Sequence, residues 1–184
     1  MATALERALD EFDRINAADP RAQRELIFSR RVFEWVLRLN PQASESAQLA
    51  ARAHTVRRWE VPRDRYPMDT GGYHAWRAAT AAHSADAAAA VLQSLGYPGP
   101  AIDHVGRLIR RELAPQDQDA QLLEDADCLA FLELKLTDYL ERWDEEKLAR
   151  ILHGTLVKMS PAARRVALGL PLDSRVGALL RMAG

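Results

Sequence analysis

The chain has 184 residues, 48% of them hydrophobic and 28% charged, which suits one globular domain over residues 1–184 with a core of its own. Lysine and arginine number 25 against 26 acidic residues, and this balance argues against extended nucleic-acid binding. No run approaches the ~20 apolar residues of a membrane helix, and the amino terminus lacks the apolar core of a signal peptide. We therefore expect a cytoplasmic protein with no membrane partner.

The single cysteine, Cys128, excludes a disulfide within one chain and any cluster of thiolate ligands. A metal held by this chain alone would need nitrogen and oxygen ligands. Cys128 lies in an apolar segment with no histidine at a recognisable spacing, so we interpret it as a buried, inert thiol.

Apolar residues recur at helical spacing along most of the chain. Asp19-Pro20 and Asn40-Pro41 pair a capping residue with a first-turn proline and predict two helix starts. The segment 60–72 has two prolines, two glycines and no period, which indicates a loop that could carry function. The predicted helices cover residues 3–18, 21–39, 41–59, 73–95, 101–113, 118–141 and 144–158, with two shorter ones after Ser160 and Pro171.

The sequence shows no alternating β pattern and no internal repeat. The predicted fold class is therefore all-α, a single-domain bundle of eight or nine helices. The segment 118–141 is apolar almost all round, which predicts a central helix packed by its neighbours.

Two histidines and a group of acids lie within these apolar segments, namely His54, His83 and Glu124 to Asp127. Burying an unpaired charge costs several kcal/mol or more, so such residues need partners, and one shared metal ion or anionic ligand would supply them. Asp125 and Asp127 lie roughly 200° apart around their helix axis, so both cannot face one site.

The helix after the irregular segment presents a phenol, an indole, a guanidinium and an imidazole on an arc of roughly 120°. Arginines lie on this helix and near the loop, and guanidinium groups match phosphate or carboxylate bidentately. These arginines could instead form surface ion pairs of little energetic value, and the aromatic residues could anchor the loop or the core. The predicted ligand-binding set is Arg58, Arg63, Arg77, Trp59, Tyr66, Tyr73 and Trp76.

The other candidates also have structural interpretations. His54 and His83 could each bond a backbone carbonyl in the core, and Asp125 could cap a helix or pair with an arginine. Lys158-Met159-Ser160 matches only the start of the ATP-site signature of class I aminoacyl-tRNA synthetases, and Ser160-Pro161 predicts a helix start instead.

The spacing of these residues resembles that of the HD superfamily of metal-dependent phosphohydrolases. The matching positions read His54-Thr55, His83-Ser84 and Asp125-Ala126-Asp127. The resemblance implies an HD-like helical fold with Zn²⁺, Mn²⁺ or Fe²⁺ on His54, His83 and Asp125, and with Glu124 and Asp125 as catalytic carboxylates. Three such ligands would leave a coordination position open for water.

A closer resemblance, to the family called domain of unknown function 4202, covers nearly the whole chain. That family supplies no established activity to transfer. The residues that carry the resemblance are His54, Arg58-Trp59, Pro62-Arg63, Tyr66-Pro67, Tyr73, Trp76-Arg77, His83, Glu124-Asp125, Cys128-Leu129, Phe131-Leu132-Glu133 and Lys158-Met159-Ser160.

The chain departs from an active HD pattern at two places. Thr55 stands where that pattern has an aspartate, and Arg110-Arg111-Glu112 stands where a further pair of histidines would fall. Two hypotheses follow. The protein is a metal-dependent phosphohydrolase that acts on a small phosphorylated metabolite or nucleotide, or it is a non-catalytic ligand-binding or regulatory module whose pocket recognises an anion. The oligomeric state is left open, including a homodimer.

Overall fold

The computed structural model describes residues 2–114, 116–140 and 142–183, and it describes Tyr139 and Ala183 by their backbone alone. Within these ranges all regular structure is helical, with nine α-helices and no strand, which confirms the all-α prediction. No helix of this part of the chain has the length and apolar character to cross a membrane. The α-helices are α1 Ala4–Asn16, α2 Arg24–Leu39, α3 Glu45–Ala53, α4 Thr70–Ser94, α5 Gly99–Arg110, α6 Gln118–Ala130, α7 Glu145–Lys158, α8 Pro161–Leu168 and α9 Ser174–Ala183.

The predicted starts of the second and third helices are wrong. Asp19 does not cap a helix at Pro20, because its carboxylate accepts the N–H groups of Arg21 (3.0 Å) and Glu25 (3.2 Å). The turn that this creates delays α2 to Arg24. The third helix starts after Ser44, whose hydroxyl accepts the N–H of Ala47.

The predicted end of the third helix, near Trp59, is also wrong. The α-helix stops at Ala53, and Arg57 adopts a left-handed conformation with φ 56° before a short 3₁₀ turn over Arg58–Glu60. A second 3₁₀ turn, over Arg63–Arg65, interrupts the irregular segment. These turns bring Arg58 to the side of α4, which the turn at Arg58–Glu60 contacts.

The predicted helix over 118–141 is regular only as far as Ala130. It continues as a π-helix over Phe131–Lys135 and then as a 3₁₀ turn over Leu136–Tyr139. π-helical turns are rare in proteins overall, but those that do occur are often found at functional sites. The widened turn ends on Lys135, which lies between Leu134 and Leu136.

The helix α6 is central, as its apolar sequence predicts. It contacts α2, α3, α5, α7 and α8. Leu129 is fully buried, and in the helical turns that follow, Leu132 and Leu136 are each 1% exposed. Polar residues on this helix can therefore meet side chains from several elements, and this position makes it the scaffold of the site described below.

The loop before α4 is fixed by a close approach of backbone to backbone. Asp69 caps the helix through the N–H of Gly72 (2.7 Å), and a Cβ on Gly72 would overlap the carbonyl of Pro67, whose carbon would lie 2.7 Å away. We expect Gly72→Ala to lower the free energy of unfolding by about 1–3 kcal/mol, since the rigid backbone must shift. Urea unfolding measures this.

Gly71→Ala is the matched control. Its Cβ would meet only Asp69 Oδ1 at 3.5 Å, an ordinary contact. Alanine also favours a helical conformation over glycine by up to about 1 kcal/mol. Equal destabilisation by both substitutions would contradict a close backbone approach at Gly72.

Candidate functional site

Charged side chains from several elements surround the carboxylate of Asp127 on α6. Arg111 Nη2 donates to Asp127 Oδ2 at 2.8 Å, and His54 Nε2 lies 3.4 Å from Oδ1. Burial raises the pKa of Asp127, but the proximity of His54 and the charges of Arg111 and Arg77 outweigh it and hold that pKa well below its usual value. We call this group the Asp127 cluster, and its members are Glu25, His54, Arg58, Arg77, Arg111, Asp127 and Lys135.

The two nitrogens of His54 have different roles. Nδ1 lies 2.8 Å from the carbonyl oxygen of Ala51, and a carbonyl can only accept, so Nδ1 carries a hydrogen. Nε2 is buried and has no well-aligned hydrogen-bond partner in the described part of the chain. Its 3.4 Å distance from Asp127 is that of an ion pair rather than of a good hydrogen bond. Only the doubly protonated ring can donate towards Asp127.

Arg111 joins the cluster to a neighbouring cavity. Its guanidinium pairs with both Asp127 and Glu124, and these anions raise its pKa although burial opposes them. The cavity has a volume of about 250 Å³, a mostly apolar wall, and Arg111, Gln121, Glu124 and Lys158 at its polar side. Lys158 Nζ lies 3.9 Å from Glu124, so the cavity has cations on both sides of one carboxylate.

Three cations of the cluster have no carboxylate within 4 Å in the described part of the chain: Arg58, Arg77 and Lys135. All three side chains are partly buried. The guanidinium of Arg58 stacks on the ring of Trp76 at 4.8 Å, and burial, together with the charge of Arg77, lowers the pKa of Arg58. The positive charge of the cluster is therefore only partly neutralised.

Glu25 is the second carboxylate of the cluster, and it is 5% exposed. Its Oε1 accepts from Arg21 at 2.9 Å, whereas its buried Oε2 has no hydrogen-bond partner among the described residues. The charge of Glu25 raises the pKa values of Arg58 and Lys135, against the larger effect of burial on each. Glu25 thus faces these cations without forming a direct ion pair with either of them.

Non-glycine residues in the left-handed region flank the cluster. Arg111 itself has φ 60°, Arg57 with φ 56° precedes Arg58, and Gln23 with φ 57° lies two residues before Glu25. Each such conformation costs roughly 1–2 kcal/mol, and this kind of strain concentrates at functional sites. The fold therefore maintains locally unfavourable conformations where the charged groups meet.

His83 and Asp125 do not converge with His54. His83 Nε2 lies 2.9 Å from Glu60 Oε2, and both side chains are more than one-third exposed. The Asp125 carboxylate accepts the N–H of Ser160 (2.7 Å), the hydroxyl of Ser160 (2.6 Å) and the amide of Gln121 (2.9 Å). The three predicted metal ligands are thus bonded to three different sets of partners.

The side chains around Asp127 do not match the predicted metal centre. Among the described residues, no three His, Cys, Asp or Glu side chains are placed to share a metal ion. His54 and Asp127 are close to each other, but the positive charges of Arg77 and Arg111 also lower the pKa of Asp127. Such cations would repel a divalent ion at this position. This arrangement does not fit a three-ligand centre of Zn²⁺, Mn²⁺ or Fe²⁺, and metal binding stays a prediction.

Four of the predicted ligand-binding residues lie together. Arg58 stacks on Trp76, and the Tyr73 ring lies 6.0 Å from that of Trp76. The charge of Arg77 lowers the pKa values of Arg58 and Asp127. Tyr73 is 42% exposed, so this aromatic surface faces solvent. Trp76 Nε1 donates to the carbonyl of Val61 at 2.8 Å, which fixes the indole plane under Arg58.

The remaining predicted ligand-binding residues have structural contacts. Arg63 Nη1 donates to the carbonyl of Tyr66 at 2.9 Å, and Nη2 donates to that of Asp69 at 3.4 Å. Trp59 is partly buried and packs against the core. Arg63 and Tyr66 shape the loop, and neither belongs to the Asp127 cluster.

Glu124, a predicted catalytic residue, pairs with Arg111 and Lys158 at the cavity. Asp125, the other, holds the start of α8 through Ser160, which caps that helix by accepting the N–H of Ala163. Catalysis by either residue stays a prediction. The Lys158-Met159-Ser160 sequence is explained as the end of α7 and the cap of α8.

The site also contains three residues that were not predicted from the sequence: Glu25, Arg111 and Lys135. Lys135 did carry a signal, since it is one of only three lysines and lies between Leu134 and Leu136. Arg111 carried none, because its partners lie 13 and 16 residues away and no periodicity connects them.

The site thus belongs to an all-helical protein with a half-buried, partly neutralised group of cations. Residues 6–180 match the family model described as Domain of unknown function (DUF4202), and the chain belongs to that family. This confirms the resemblance seen in the sequence. No curated protein and no solved structure matches the chain.

Proposed function

We propose that the Asp127 cluster binds the phosphate, or a similar oxyanion, of a small ligand. The observation that carries this proposal is that Arg58, Arg77 and Lys135 are partly buried without a carboxylate within 4 Å among the described residues. Incompletely compensated buried charge is costly, and an anion placed among these cations would offset that cost.

The chemistry of the residues supports a phosphorylated small molecule or a nucleotide. Guanidinium groups bind phosphate oxygens bidentately, and stacking on Trp76 holds the Arg58 plane in a fixed orientation. The half-exposed ring of Tyr73 provides an aromatic surface for the remainder of the ligand. A cytoplasmic location is part of this proposal, because such ligands are abundant there.

Of the two hypotheses, the geometry favours the ligand-binding or regulatory module. The Asp127 cluster is rich in cations, and the carboxylate that a metal-dependent hydrolase would need, Asp125, is fully engaged with Ser160 and Gln121. Hydrolysis with a divalent metal stays a prediction. Metal analysis of the purified protein, with His54→Ala and His83→Ala as controls, tests it.

The anion site is tested by thermal unfolding with inorganic phosphate at constant ionic strength. A ligand at about 100 times its Kd stabilises by about 2.7 kcal/mol, which for a chain of this size raises Tm by roughly 5–10 °C. We expect this rise in the wild type and a much smaller one in Arg58→Gln and Arg77→Gln, which each remove one uncompensated cation.

Arg57→Gln is the matched control, because Arg57 is exposed and adjoins Arg58 in sequence. Its phosphate response should equal that of the wild type. The same response in all four proteins, or none in the wild type, would contradict the proposed site.

A further inference from the structure

Lys135 is placed unusually for a lysine. It ends the π-helix Phe131–Lys135, is partly buried, and holds its Nζ 3.4 Å from the ring centroid of Phe28. No carboxylate lies within 4 Å of it in the described chain, although Arg58 and Asp127 belong to the same cluster. An amine is therefore held beside the groups that we assign to an anion.

The charged groups that face Lys135 come from three elements. They are Arg21 just before α2, Glu25 on α2, Arg58 in the first 3₁₀ turn, and Asp127 on α6. Burial lowers the pKa of Lys135 to about 8, and Arg58 and Arg21 add to this while Glu25 and Asp127 oppose it. Near pH 7 about a tenth of this amine is neutral, roughly a hundredfold more than for an ordinary lysine.

We propose that Lys135 forms an imine with a small phosphorylated aldehyde or ketone whose phosphate lies on Arg58 and Arg77. This inference rests on the proposed function and deepens it, since it names the chemical class of the ligand. Desolvated lysines beside other cations are the type that forms Schiff bases with carbonyl compounds. Binding of the phosphate would hold the carbonyl near Nζ and so raise its effective concentration.

The reaction balances without an oxidant or reductant. The lone pair of neutral Nζ attacks the carbonyl carbon, a C–N bond forms, and the π electrons of the carbonyl move to oxygen. A proton moves from nitrogen to that oxygen, and the resulting hydroxyl leaves as water with a second proton taken from solvent. The nitrogen lone pair then forms the C=N bond, and a protonated imine remains. The carboxylates of Asp127 and Glu25 face the positive charge of this imine as they face that of the lysine.

The test uses glycolaldehyde phosphate with cyanoborohydride, which transfers hydride to an imine and leaves a stable secondary amine. Peptide mass spectrometry then compares all three lysines, of which Lys147 and Lys158 are exposed and serve as internal controls. We expect labelling at Lys135 to be at least about tenfold faster than at the other two near pH 7. Labelling at Lys135 should level off above about pH 8.

Two comparisons separate this inference from the anion site. Glycolaldehyde without phosphate should lose the preference for Lys135, and inorganic phosphate should slow labelling at Lys135 alone. If phosphate stabilises the wild type but Lys135 reacts no faster than Lys147, the imine is excluded and the anion site stands. If phosphate neither stabilises nor competes, the proposed function fails and this inference fails with it. Mass analysis of the wild type decides this without a variant, so the result does not depend on the folding of a mutant.

Discussion

Asp127→Asn should lower the free energy of unfolding at neutral pH by about 3 kcal/mol. The substitution keeps the size of the side chain but removes one of the two carboxylates that pair with Arg111, the one that also lies beside His54. Removing one partner of a buried ion pair typically costs about 3–5 kcal/mol. This pair is only partly buried, with the side chain of Arg111 40% exposed and that of Asp127 19% exposed, so we expect the lower end of that range. Urea unfolding of both proteins measures the difference.

This difference should depend on pH in a definite direction. The folded-state pKa of Asp127 lies well below its usual value, so its contribution is fully present above the unfolded pKa of about 3.9 and is lost as the pH falls through the folded pKa. The wild type and Asp127→Asn should therefore approach each other in stability below about pH 4. A gap that persists unchanged into acid would contradict an ionised Asp127.

Phosphate should partly rescue the same variant. Without the Asp127 carboxylate the cluster has a larger positive excess, so a bound anion gains more from Arg77 and Arg111. We expect phosphate to raise the Tm of Asp127→Asn by more than it raises that of the wild type. An equal or smaller rise would mean that the anion binds elsewhere.

Asp125→Ala should also cost about 3 kcal/mol, for a different reason. The carboxylate of Asp125 is 5% exposed and accepts three hydrogen bonds, two of them from Ser160 at the start of α8. Hydrogen bonds to charged groups contribute about 1.5–3 kcal/mol each, and the N–H of Ser160 would lose its partner. Chemical unfolding detects this loss.

Ser160→Ala provides the comparison. It removes the hydroxyl that caps α8 and bonds Asp125 but leaves the N–H of residue 160 in place, so we expect a smaller loss of about 1–2 kcal/mol. If Asp125 were instead a metal ligand, added Zn²⁺ or Mn²⁺ would stabilise the wild type and leave the stability of Asp125→Ala unaffected. Metal-dependent stabilisation of that kind would overturn the structural role of Asp125 at the start of α8.

The helices could be predicted from the sequence because apolar spacing depends on which face of a segment is buried. Their ends could not be predicted in the same way. The carboxylate of Asp19 bonds two N–H groups before α2 instead of starting a helix at Pro20, and the left-handed Arg57 stops the turn after α3. The π-helix that ends at Lys135 has no counterpart in the apolar spacing, which predicts a regular helix there.

Part of the site could be predicted as well. The roughly opposite directions of Asp125 and Asp127 on their helix were correct, and His54, Arg58 and Arg77 do lie in one cluster. The sequence left open whether Asp125 or Asp127 enters the site. Asp125 on the apolar stripe is satisfied by Ser160, far along the chain, whereas Asp127 faces the cations. Such long-range pairings are set by how the helices pack.

Calorimetric titration of inorganic phosphate tests the central claim most directly. With a chelator present and at low salt, the wild type and Arg57→Gln should each bind phosphate at one site per chain. The double variant Arg58→Gln, Arg77→Gln should bind at least about tenfold more weakly, because each lost charge-assisted contact is worth about 1.5–3 kcal/mol. Equal affinity in all three proteins, or no binding to the wild type, would contradict an anion site at the Asp127 cluster.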